Sequence, residues 1–312
     1  MKVCFIGMCG HSRQAYKVLR TRADTELCGF APGSEHERLS ESFDPAIPFF
    51  SSWKEMLDSV RPNLAVVSPV FGLTGSVIIE CAARGIDVFS EKPIAGTFEE
   101  LDRVAQAIKN SGIRFSAMHY LRLLPEFRQG AALVRQGAIG KVQLINAQKS
   151  YRFGTRPDWY SDRALFTGII PWVGIHAIDW IYAFTGKRFL SVNSYTVGDP
   201  ERTSLSTFRM EDNILASVSL DYYRPHSAPT HGDDRIRLVG TEGVLEVRDG
   251  KIHLINSTGS RFIEPDPAPE LLSSFLEGED LISVDEIIYL TRVALLARES
   301  ADRNSTIDIE VE

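Results

Sequence analysis

The segment Ser90-Glu91-Lys92-Pro93 places a carboxylate and an ammonium directly after an apolar run, 85–89, that is typical of a β-strand. A Lys at the carboxyl end of a strand lies at the edge where open α/β sheets bind ligands. An ammonium there can stabilise a developing alkoxide or join a proton relay. Because the chain also opens with a strand and a glycine-containing turn of the dinucleotide-binding type, the combination indicates redox chemistry on a small molecule.

The first turn, residues 7–13 (GMCGHSR), departs from the pattern Gly-x-Gly-x-x-Gly/Ala. Cys9 and Ser12 stand where the second and third glycines are expected, and Gly10 is extra. Small residues still allow close backbone approach to a pyrophosphate, and the next helix offers free N–H groups. A turn that binds nothing is the alternative, since Gly marks many turns.

The end of the second predicted strand bears on the choice of cofactor. NAD-selective sites usually carry Asp or Glu at this tip, and here Ala31 to Ser34 contain no acid. With Ser34 and Arg13 nearby, the sequence leans towards a 2′-phosphate and therefore NADP, although Glu35 and Glu37 follow immediately.

Composition sets limits on the class of protein. The 312 residues, 44% hydrophobic and 24% charged, predict two globular domains. The net charge of −7 argues against a nucleic-acid partner, and no apolar run of transmembrane length is apparent, so no membrane partner is expected. The N-terminus is interpreted as a first strand and not as a signal peptide. Four cysteines without metal-binding spacing predict reduced thiols, no metal and a cytoplasmic location.

The order of predicted elements gives the fold class. Apolar strands alternate with amphipathic helices up to about residue 120, which predicts an α/β domain of Rossmann type with a doubly wound parallel sheet over 1–120. Alternating polar and apolar runs then dominate, which predicts an α+β domain with an open, mainly antiparallel sheet over 121–312. The stretch 257–269 is predicted to be a mobile loop.

Five short motifs, in order along nearly the whole chain, are similar to those of the glucose-fructose oxidoreductase / inositol dehydrogenase (Gfo/Idh/MocA) family. They are GIDVFSEKP at 85–93, Ser68-Pro69, RLLP at 122–125, GAIGKV at 137–142 and GIHAID at 174–179. The resemblance implies an NAD(P)-dependent dehydrogenase that moves hydride between nicotinamide and a CH–OH carbon, often on a sugar or cyclitol. It implies that the cofactor contacts Gly7, Cys9, Gly10, His11, Ser12, Arg13, Ala31, Ser34, Ser68, Pro69, Glu91, Lys92 and Pro93.

The same resemblance assigns three catalytic residues. A neutral imidazole suits proton transfer near pH 7, and His176 is the matched base. Lys92 is the matched residue that would stabilise the developing alkoxide. Glu91 is expected to hold the strand end and the Lys92 side chain in place. Asp179 follows His176 by three residues on one helix face, where it could bind a substrate hydroxyl or orient the imidazole. A purely structural hydrogen bond between such helix neighbours is the alternative.

One position departs from the family pattern. Many members carry Asp four residues before the helix His, and this chain has Trp172. Trp can stack on a ring and donate one hydrogen bond, so the substrate is expected to be less hydroxylated, bulkier or anionic. The expected substrate contacts are Lys92, Arg122, Tyr151, Trp159, Trp172, His176, Asp179 and His231.

Two segments of the second domain leave alternatives open. Tyr151, Arg152, Arg156, Trp159 and Tyr160 could ring an anionic or sugar substrate, or could be interface aromatics. The turn 230–235 (THGDDR), which contains His231, could bind substrate or metal, although such turns need no ligand.

The function expected from the sequence is oxidation or reduction of a carbohydrate-like alcohol or ketone. A non-catalytic nucleotide- or sugar-binding regulator is the alternative, favoured by the altered Gly turn and Trp172. A third possibility uses the cofactor transiently in glycoside cleavage, with Tyr151 or His231 as an extra acid/base. An open sheet exposes a face best covered by self-association, so a homodimer or homotetramer through this sheet is expected.

Overall fold

A computed structural model describes residues 1–37 and 44–310 of the protein. The chain divides into two compact units. The first comprises Met1–Met118, Asp162–Thr167 and Glu270–Arg292, and the second His119–Ser161, Gly168–Pro269 and Val293–Glu312. The main transition falls beside the predicted boundary at residue 120, and two short later segments, which the sequence interpretation places in the second domain, lie within the first unit.

The first unit contains a five-stranded parallel sheet. Its strands are β1 (Lys2–Ile6), β2 (Glu26–Ala31), β3 (Leu64–Val67), β4 (Asp87–Ser90) and β5 (Phe115–Ala117), in the order β2-β1-β3-β4-β5. All four residues of β3 are buried, because helices cover both faces of a parallel sheet and leave no solvated side. The predicted doubly wound arrangement is confirmed.

The described residues up to 118 contain the helices α1 (Ser12–Leu19), α2 (Trp53–Val60), α3 (Thr74–Ala83) and α4 (Phe98–Ser111). Local sequence signals explain how α2 and α4 begin. Ser52 and Thr97 are N-caps whose hydroxyls accept hydrogen bonds from the backbone N–H groups of Glu55 and Glu100. Gly112, at a φ of 65°, ends α4 in the left-handed conformation that favours glycine.

The second unit is built on a nine-stranded sheet. Its strands are β6 (Val142–Tyr151), β7 (Phe189–Val197), β8 (Thr203–Met210), β9 (Leu215–Asp221), β10 (Gly232–Gly240), β11 (Gly243–Arg248), β12 (Lys251–Asn256), β13 (Gly259–Ile263) and β14 (Ile307–Asp308). The order is β13-β12-β11-β10-β6-β9-β8-β7-β14. Every pairing is antiparallel except β6 with β9, which confirms the predicted mainly antiparallel sheet.

One face of this sheet is covered and the other is open. Helices α5 (Pro125–Arg135) and α7 (Ile175–Thr185) pack together, and α7 lies against β6. Buried residues of β6, such as Ile145, alternate with exposed ones, such as Leu144. The sheet therefore shows the period-2 pattern of a half-covered surface.

Three short elements of the described residues were not predicted from the sequence: one strand and two helices. The predicted loop 257–269 contains β13, which pairs with β12, and its mostly exposed side chains give no alternation by which a strand could be recognised. The remaining helices are α6 (Arg163–Phe166), α8 (Leu271–Glu277) and α9 (Val284–Arg303), and the first two have only four and seven residues. Such lengths carry little periodicity.

Among the described residues, the helical stretch Arg163–Thr185 has the length and apolar composition of a membrane-crossing helix, contrary to the expectation from the sequence. Of its most apolar part, 83% is buried inside the protein. Burial of that extent is typical of a core helix, and Gly168 and Pro171 interrupt the run as it appears in the sequence.

Candidate functional site

In the first unit, the turn after β1 is packed tightly against the turn after β3. Gly7 has a φ of 75°, and a Cβ there would collide with the carbonyl of Ser68, so both conformation and space require glycine. The N–H of Cys9 donates to Ser68 at 2.8 Å, and the Ser68 hydroxyl donates to the carbonyl of Cys9. These bonds fix the turn at the carboxyl edge of the sheet, where dinucleotides bind in folds of this type.

Glu91 lies beneath this turn and is completely buried. Its Oε2 accepts the N–H of His11 at 2.6 Å, and both carboxylate oxygens lie 3.1 Å from Nδ1 of the same residue. Its Oε1 accepts the N–H of Lys92 at 3.0 Å and lies 3.7 Å from Nζ. Burial alone would raise the pKa of Glu91, but the charges of His11 and Lys92 outweigh burial and hold it below the usual range.

Lys92 is therefore held by a buried carboxylate at the carboxyl end of β4. Its side chain is only 2% exposed, and a hydrogen bond from the N–H of Met118, directly after β5, to the Ser90 carbonyl fixes the segment. The expected bracing role of Glu91 matches this geometry. A buried ammonium held beside a fixed carboxylate is a preorganised donor for developing negative charge.

Glu37 contacts the ends of two strands of this unit, which was not predicted from the sequence. Its Oε1 accepts the N–H of Val70 at 2.9 Å, and its Oε2 accepts the N–H of Gly33 at 3.3 Å. Burial raises the pKa of this carboxyl to about 7, although bonds from the backbone of Val70, Gly33 and Met8 act the other way. The carboxylate of Glu37 therefore lies at the ends of β2 and β3. The spacing of residues along the chain does not predict this position.

The expected cofactor contacts fall into two groups. Some have enclosed side chains that fix the turns and the strand ends, namely Ser12, Ala31, Ser68, Pro69, Glu91 and Pro93. Others remain accessible at the edge, namely Cys9, Gly10, His11, Arg13 and Ser34. The N–H of His11, expected to be free for phosphate, is bound by Glu91, so Gly10 and Arg13 are the better anion donors.

In the second unit, a buried ion-pair network surrounds Asp179 on α7. Its Oδ1 accepts from Nε of Arg122 at 2.7 Å and also from Nη2, and its Oδ2 lies 3.2 Å from Nδ1 of His119. Burial would raise the pKa of Asp179, but the positive charge of Arg122 and the contact with His119 outweigh it and lower the pKa. His119 was not singled out in the sequence, because its partner lies sixty residues further along the chain.

Two expectations concern this network. Asp179 was expected to bind a substrate hydroxyl or to orient His176; it is completely buried, and its carboxylate contacts Arg122 and His119. Arg122 was expected to contact substrate; its guanidinium pairs with Asp179, and its side chain is 10% exposed. Charge pairing holds both side chains in place, and their contact with substrate stays a prediction.

His176 lies one turn before Trp180 on α7 and is 3% exposed. Its ring is edge-on to that of His119, with centroids 6.2 Å apart. The π-helical turn over 170–174, which includes the buried Trp172, leads into α7 and forms the backbone before His176. Such turns are frequent at functional positions.

A second buried cation occurs on β6. Nζ of Lys149 lies 2.8 Å from Asp234 and 2.9 Å from the hydroxyl of Tyr151, and 4.4 Å from the centre of the Trp180 ring. Burial lowers the pKa of Lys149, and Asp234 partly restores it. Asp234, expected in a ligand-binding turn, is therefore an ion-pair partner within β10.

The neighbouring Asp233 and His231 are likewise placed by local contacts. Asp233 pairs with Arg224 and Arg235, while the His231 ring is edge-on to Tyr151 at 5.3 Å. Within the described residues, no group of three or more His, Cys, Asp or Glu side chains could hold a metal ion. The carboxylates of this turn are therefore committed to charge pairs.

Comparison with known proteins defines the class. A family model described as "Oxidoreductase family, NAD-binding Rossmann fold" matches residues 1–119, and one described as "GFO/IDH/MocA C-terminal domain" matches residues 127–246. These matches define an oxidoreductase with an NAD-binding Rossmann domain. The chain belongs to the GFO/IDH/MocA family, as the sequence motifs predicted.

Several individual proteins are similar to this chain. A solved structure described as an oxidoreductase from Thermotoga maritima is 38% identical, covers 99% of this chain and 100% of its own, and has a TM-score of 0.94. The rhizopine catabolism protein MocA of Rhizobium meliloti is 22% identical over 81% of this chain and 82% of its own length. The scyllo-inositol 2-dehydrogenase (NAD+) of Bacillus subtilis is 22% identical over 72% of this chain and 66% of its own.

Proposed function

We propose that the protein catalyses reversible oxidation of a secondary alcohol on a sugar or cyclitol, with NAD(P)+ as hydride acceptor. The observation that carries the proposal is the buried Lys92, fixed by Glu91 at the carboxyl end of β4. A cation that stabilises an alkoxide must lie at the carboxyl end of the strands, where ligands bind, whereas a cation with a structural role can lie elsewhere. Similarity to MocA and to an inositol dehydrogenase supports a polyhydroxylated substrate.

The roles of the residues follow from their chemistry. The turn at Gly7 and Gly10, with Arg13, would hold the pyrophosphate, and Ser34 the adenosine ribose. When bound, the nicotinamide supplies the hydride acceptor. Lys92 would donate a hydrogen bond to the substrate oxygen as negative charge develops. We assign proton acceptance to the imidazole of His176 on the strength of its family motif, since a neutral imidazole suits that role near pH 7.

The proposal is tested by titrating the protein with NADH and NADPH while following energy transfer from its four tryptophans. Binding below millimolar concentration, followed by turnover of at least one member of a panel of sugars and cyclitols, is the expected result. Binding without turnover of any alcohol would favour a nucleotide-dependent regulator. Absence of binding would remove the main support for the enzyme.

Cofactor preference is expected to depend on Glu37. We propose that its carboxylate, at the ends of β2 and β3, repels a 2′-phosphate, so that NADH is preferred, in contrast to the NADP preference that the strand tip suggested. At pH 8 the protein should bind NADH roughly tenfold more tightly than NADPH, equivalent to about 1.4 kcal/mol. Since the pKa of Glu37 is about 7, protonation should reduce this preference at pH 6.

The measurement compares dissociation constants of both nucleotides at pH 6 and pH 8 for the wild type and Glu37→Gln. The variant should lose most of the discrimination and most of its pH dependence, leaving only that of the phosphate itself. Glu35→Gln, an exposed neighbour, is the matched control and should behave like the wild type. Tighter binding of NADPH than NADH by the wild type at pH 8 would contradict the assignment.

Self-association through the open face of the second unit's sheet is a further expectation. Tyr195, Leu205 and Leu215 project from neighbouring strands of this face and are each at least half exposed. Tyr195 and Leu205 are direct cross-strand partners, and the three side chains together are called the apolar patch. Exposed apolar side chains on one sheet face favour a contact surface, and a second copy offers an identical apolar patch. Leu205→Glu should convert a homodimer or homotetramer into a smaller species, measured by light scattering after gel filtration.

The control for this experiment is Lys251→Glu, which alters charge at an exposed position of β12 without touching the apolar patch. It should retain the wild-type mass. A wild-type protein that is monomeric at micromolar concentration would show that the apolar face has another role.

A further inference from the structure

Three arginines of the second unit gather around a set of aromatic rings. Arg152 and Arg156 follow β6, and Arg202 precedes β8; together they are called the arginine cluster. The guanidinium carbon of Arg202 lies 3.3 Å from the centre of the Phe153 ring, and that of Arg156 lies 5.2 to 5.7 Å from three ring centres. Those three rings are Phe153, Tyr160 and Tyr222.

Aromatic stacking leaves the N–H groups of these arginines largely unused. A guanidinium has five donors in its plane, and a ring engages only its face. Arg152 donates through Nη2 to the carbonyl of Ala228, and Arg156 through Nη2 to the carbonyl of Arg152 at 3.4 Å. The Nε atoms of both are buried and have no acceptor among the described residues.

The arginine cluster also lacks countercharge. No carboxylate of the described residues forms an ion pair with any of its three members. The nearby Asp233 is already paired with Arg224 and Arg235. Three guanidiniums gathered without a counterion repel one another, and a bound anion relieves that repulsion.

The buried hydroxyl of Tyr222 is a second indication of an anion site at the arginine cluster. Tyr222 is 3% exposed, and its hydroxyl has no hydrogen-bond partner among the described residues. The guanidinium carbon of Arg156 lies 5.7 Å from the centre of the Tyr222 ring. Burial raises the pKa of this phenol, and the charges of Arg156 and Arg202 partly oppose the rise. An unsatisfied buried hydroxyl beside two cations is a donor prepared for an anion.

The arginine cluster is connected to His176 within the same unit. Trp180 lies one turn after His176 on α7, and its ring contacts Lys149, which in turn bonds to Tyr151. Tyr151 packs against the ring of His231, and the N–H of Arg152 donates to the His231 carbonyl at 3.2 Å. A series of contacts therefore runs from Trp180, one helical turn after His176, to the cluster.

We propose that the arginine cluster, with the Tyr222 hydroxyl, binds a carboxylate or phosphate group of the substrate, so that the enzyme acts on an acidic sugar or cyclitol. The assignment rests on the proposed function. Arginine forks match both anions, because each presents two coplanar oxygens to a pair of N–H groups. Trp172, where many relatives carry an acid, removes a negative charge that would oppose such a substrate.

The test is isothermal titration calorimetry of the full chain with inorganic phosphate, D-glucuronate, D-glucose 6-phosphate and neutral D-glucose, at constant ionic strength. At least one anionic probe should bind at least tenfold more tightly than glucose. Arg156→Gln and Arg202→Gln should each weaken it by roughly 10- to 100-fold. Tyr222→Phe keeps the ring packing and should weaken it several-fold, which covers the case in which an arginine variant fails to fold.

Arg128→Gln removes an exposed charge on α5 and is the matched control, expected to bind like the wild type. The two sugar anions distinguish carboxylate from phosphate. Equal affinity for glucose and the anions, or unchanged affinity in the variants, would overturn the proposal. So would loss of the anion signal in saturating NADH, which would assign the cluster to the nucleotide. Binding of NADH by the same samples tests the proposed function separately.

Discussion

Lys92→Met should lower kcat by about 10²- to 10⁴-fold while the dissociation constant of NADH changes by no more than a few-fold. Methionine keeps the length and apolar stem of the side chain and removes only the ammonium. Glu91 keeps its bonds from the N–H and the imidazole of His11, so the strand end should stay in place. The loss should therefore fall on the chemical step, where the substrate oxygen gains charge.

The experiment compares single-turnover rates of hydride transfer with nucleotide affinity on the same samples. Lys109→Met, at the exposed end of α4, is the matched control and should retain wild-type turnover. A variant that keeps more than a tenth of the wild-type kcat would show that Lys92 is a structural cation. Equal losses in NADH affinity and kcat would place its role in cofactor binding.

Asp179→Asn should produce the largest loss of stability of any single substitution considered, about 3–5 kcal/mol. The change removes the negative charge that pairs with the buried Arg122 and takes the carboxylate contact from His119. Asp102→Asn is the matched control, because its carboxylate binds Arg292 at 2.6 Å but is 63% exposed. The control substitution should lower the free energy of unfolding by at most about 1 kcal/mol, since exposed ion pairs contribute little to stability.

The pH dependence of this difference has a definite sign. The folded pKa of Asp179 lies below its ordinary value of 3.8, so the folded state binds fewer protons than the unfolded state in that range. The stability that the carboxylate contributes is thus present above pH 3.8 and declines as pH falls through the folded pKa. Urea unfolding should give a constant difference between wild type and Asp179→Asn from pH 8 to 5, and a smaller one at pH 3. A difference that grows on acidification would contradict the ion-pair explanation.

The fold was largely predictable from the sequence because its signals are local. The strands Glu26–Ala31 and Asp87–Ser90 agree with the predicted bounds, since short apolar runs between amphipathic helices have few other interpretations. The antiparallel strands of the second unit also showed their alternation. Residues 259–263 gave none, because a strand with both faces exposed leaves no pattern of burial.

The candidate site was predictable only in part. Lys92 and His176 could be proposed from the sequence because each belongs to a motif of neighbouring residues. The ion pair of Asp179 could not be predicted, because His119 and Arg122 lie about sixty positions away in sequence and their contacts depend on the tertiary fold. Glu37 was noted in the sequence, but its hydrogen bonds with Gly33 and Val70 were not predicted. They depend on the path of a turn, and the spacing of residues does not determine that path.

The position of β6 at the centre of its sheet has a consequence for folding in time. Its two neighbours are β9 and β10, both made well after it, and the pairing with β9 is the parallel one. At a synthesis rate of about 5–20 residues per second, roughly 4–18 s pass between completion of β6 and completion of β10. Until β9 is complete, neither edge of β6 can form its native pairing, and one edge stays unpaired until β10 follows. The nascent chain is therefore exposed to aggregation and in need of chaperone protection during this interval. Slower translation across 215–240 should therefore lower the soluble yield more than equal slowing across 26–67.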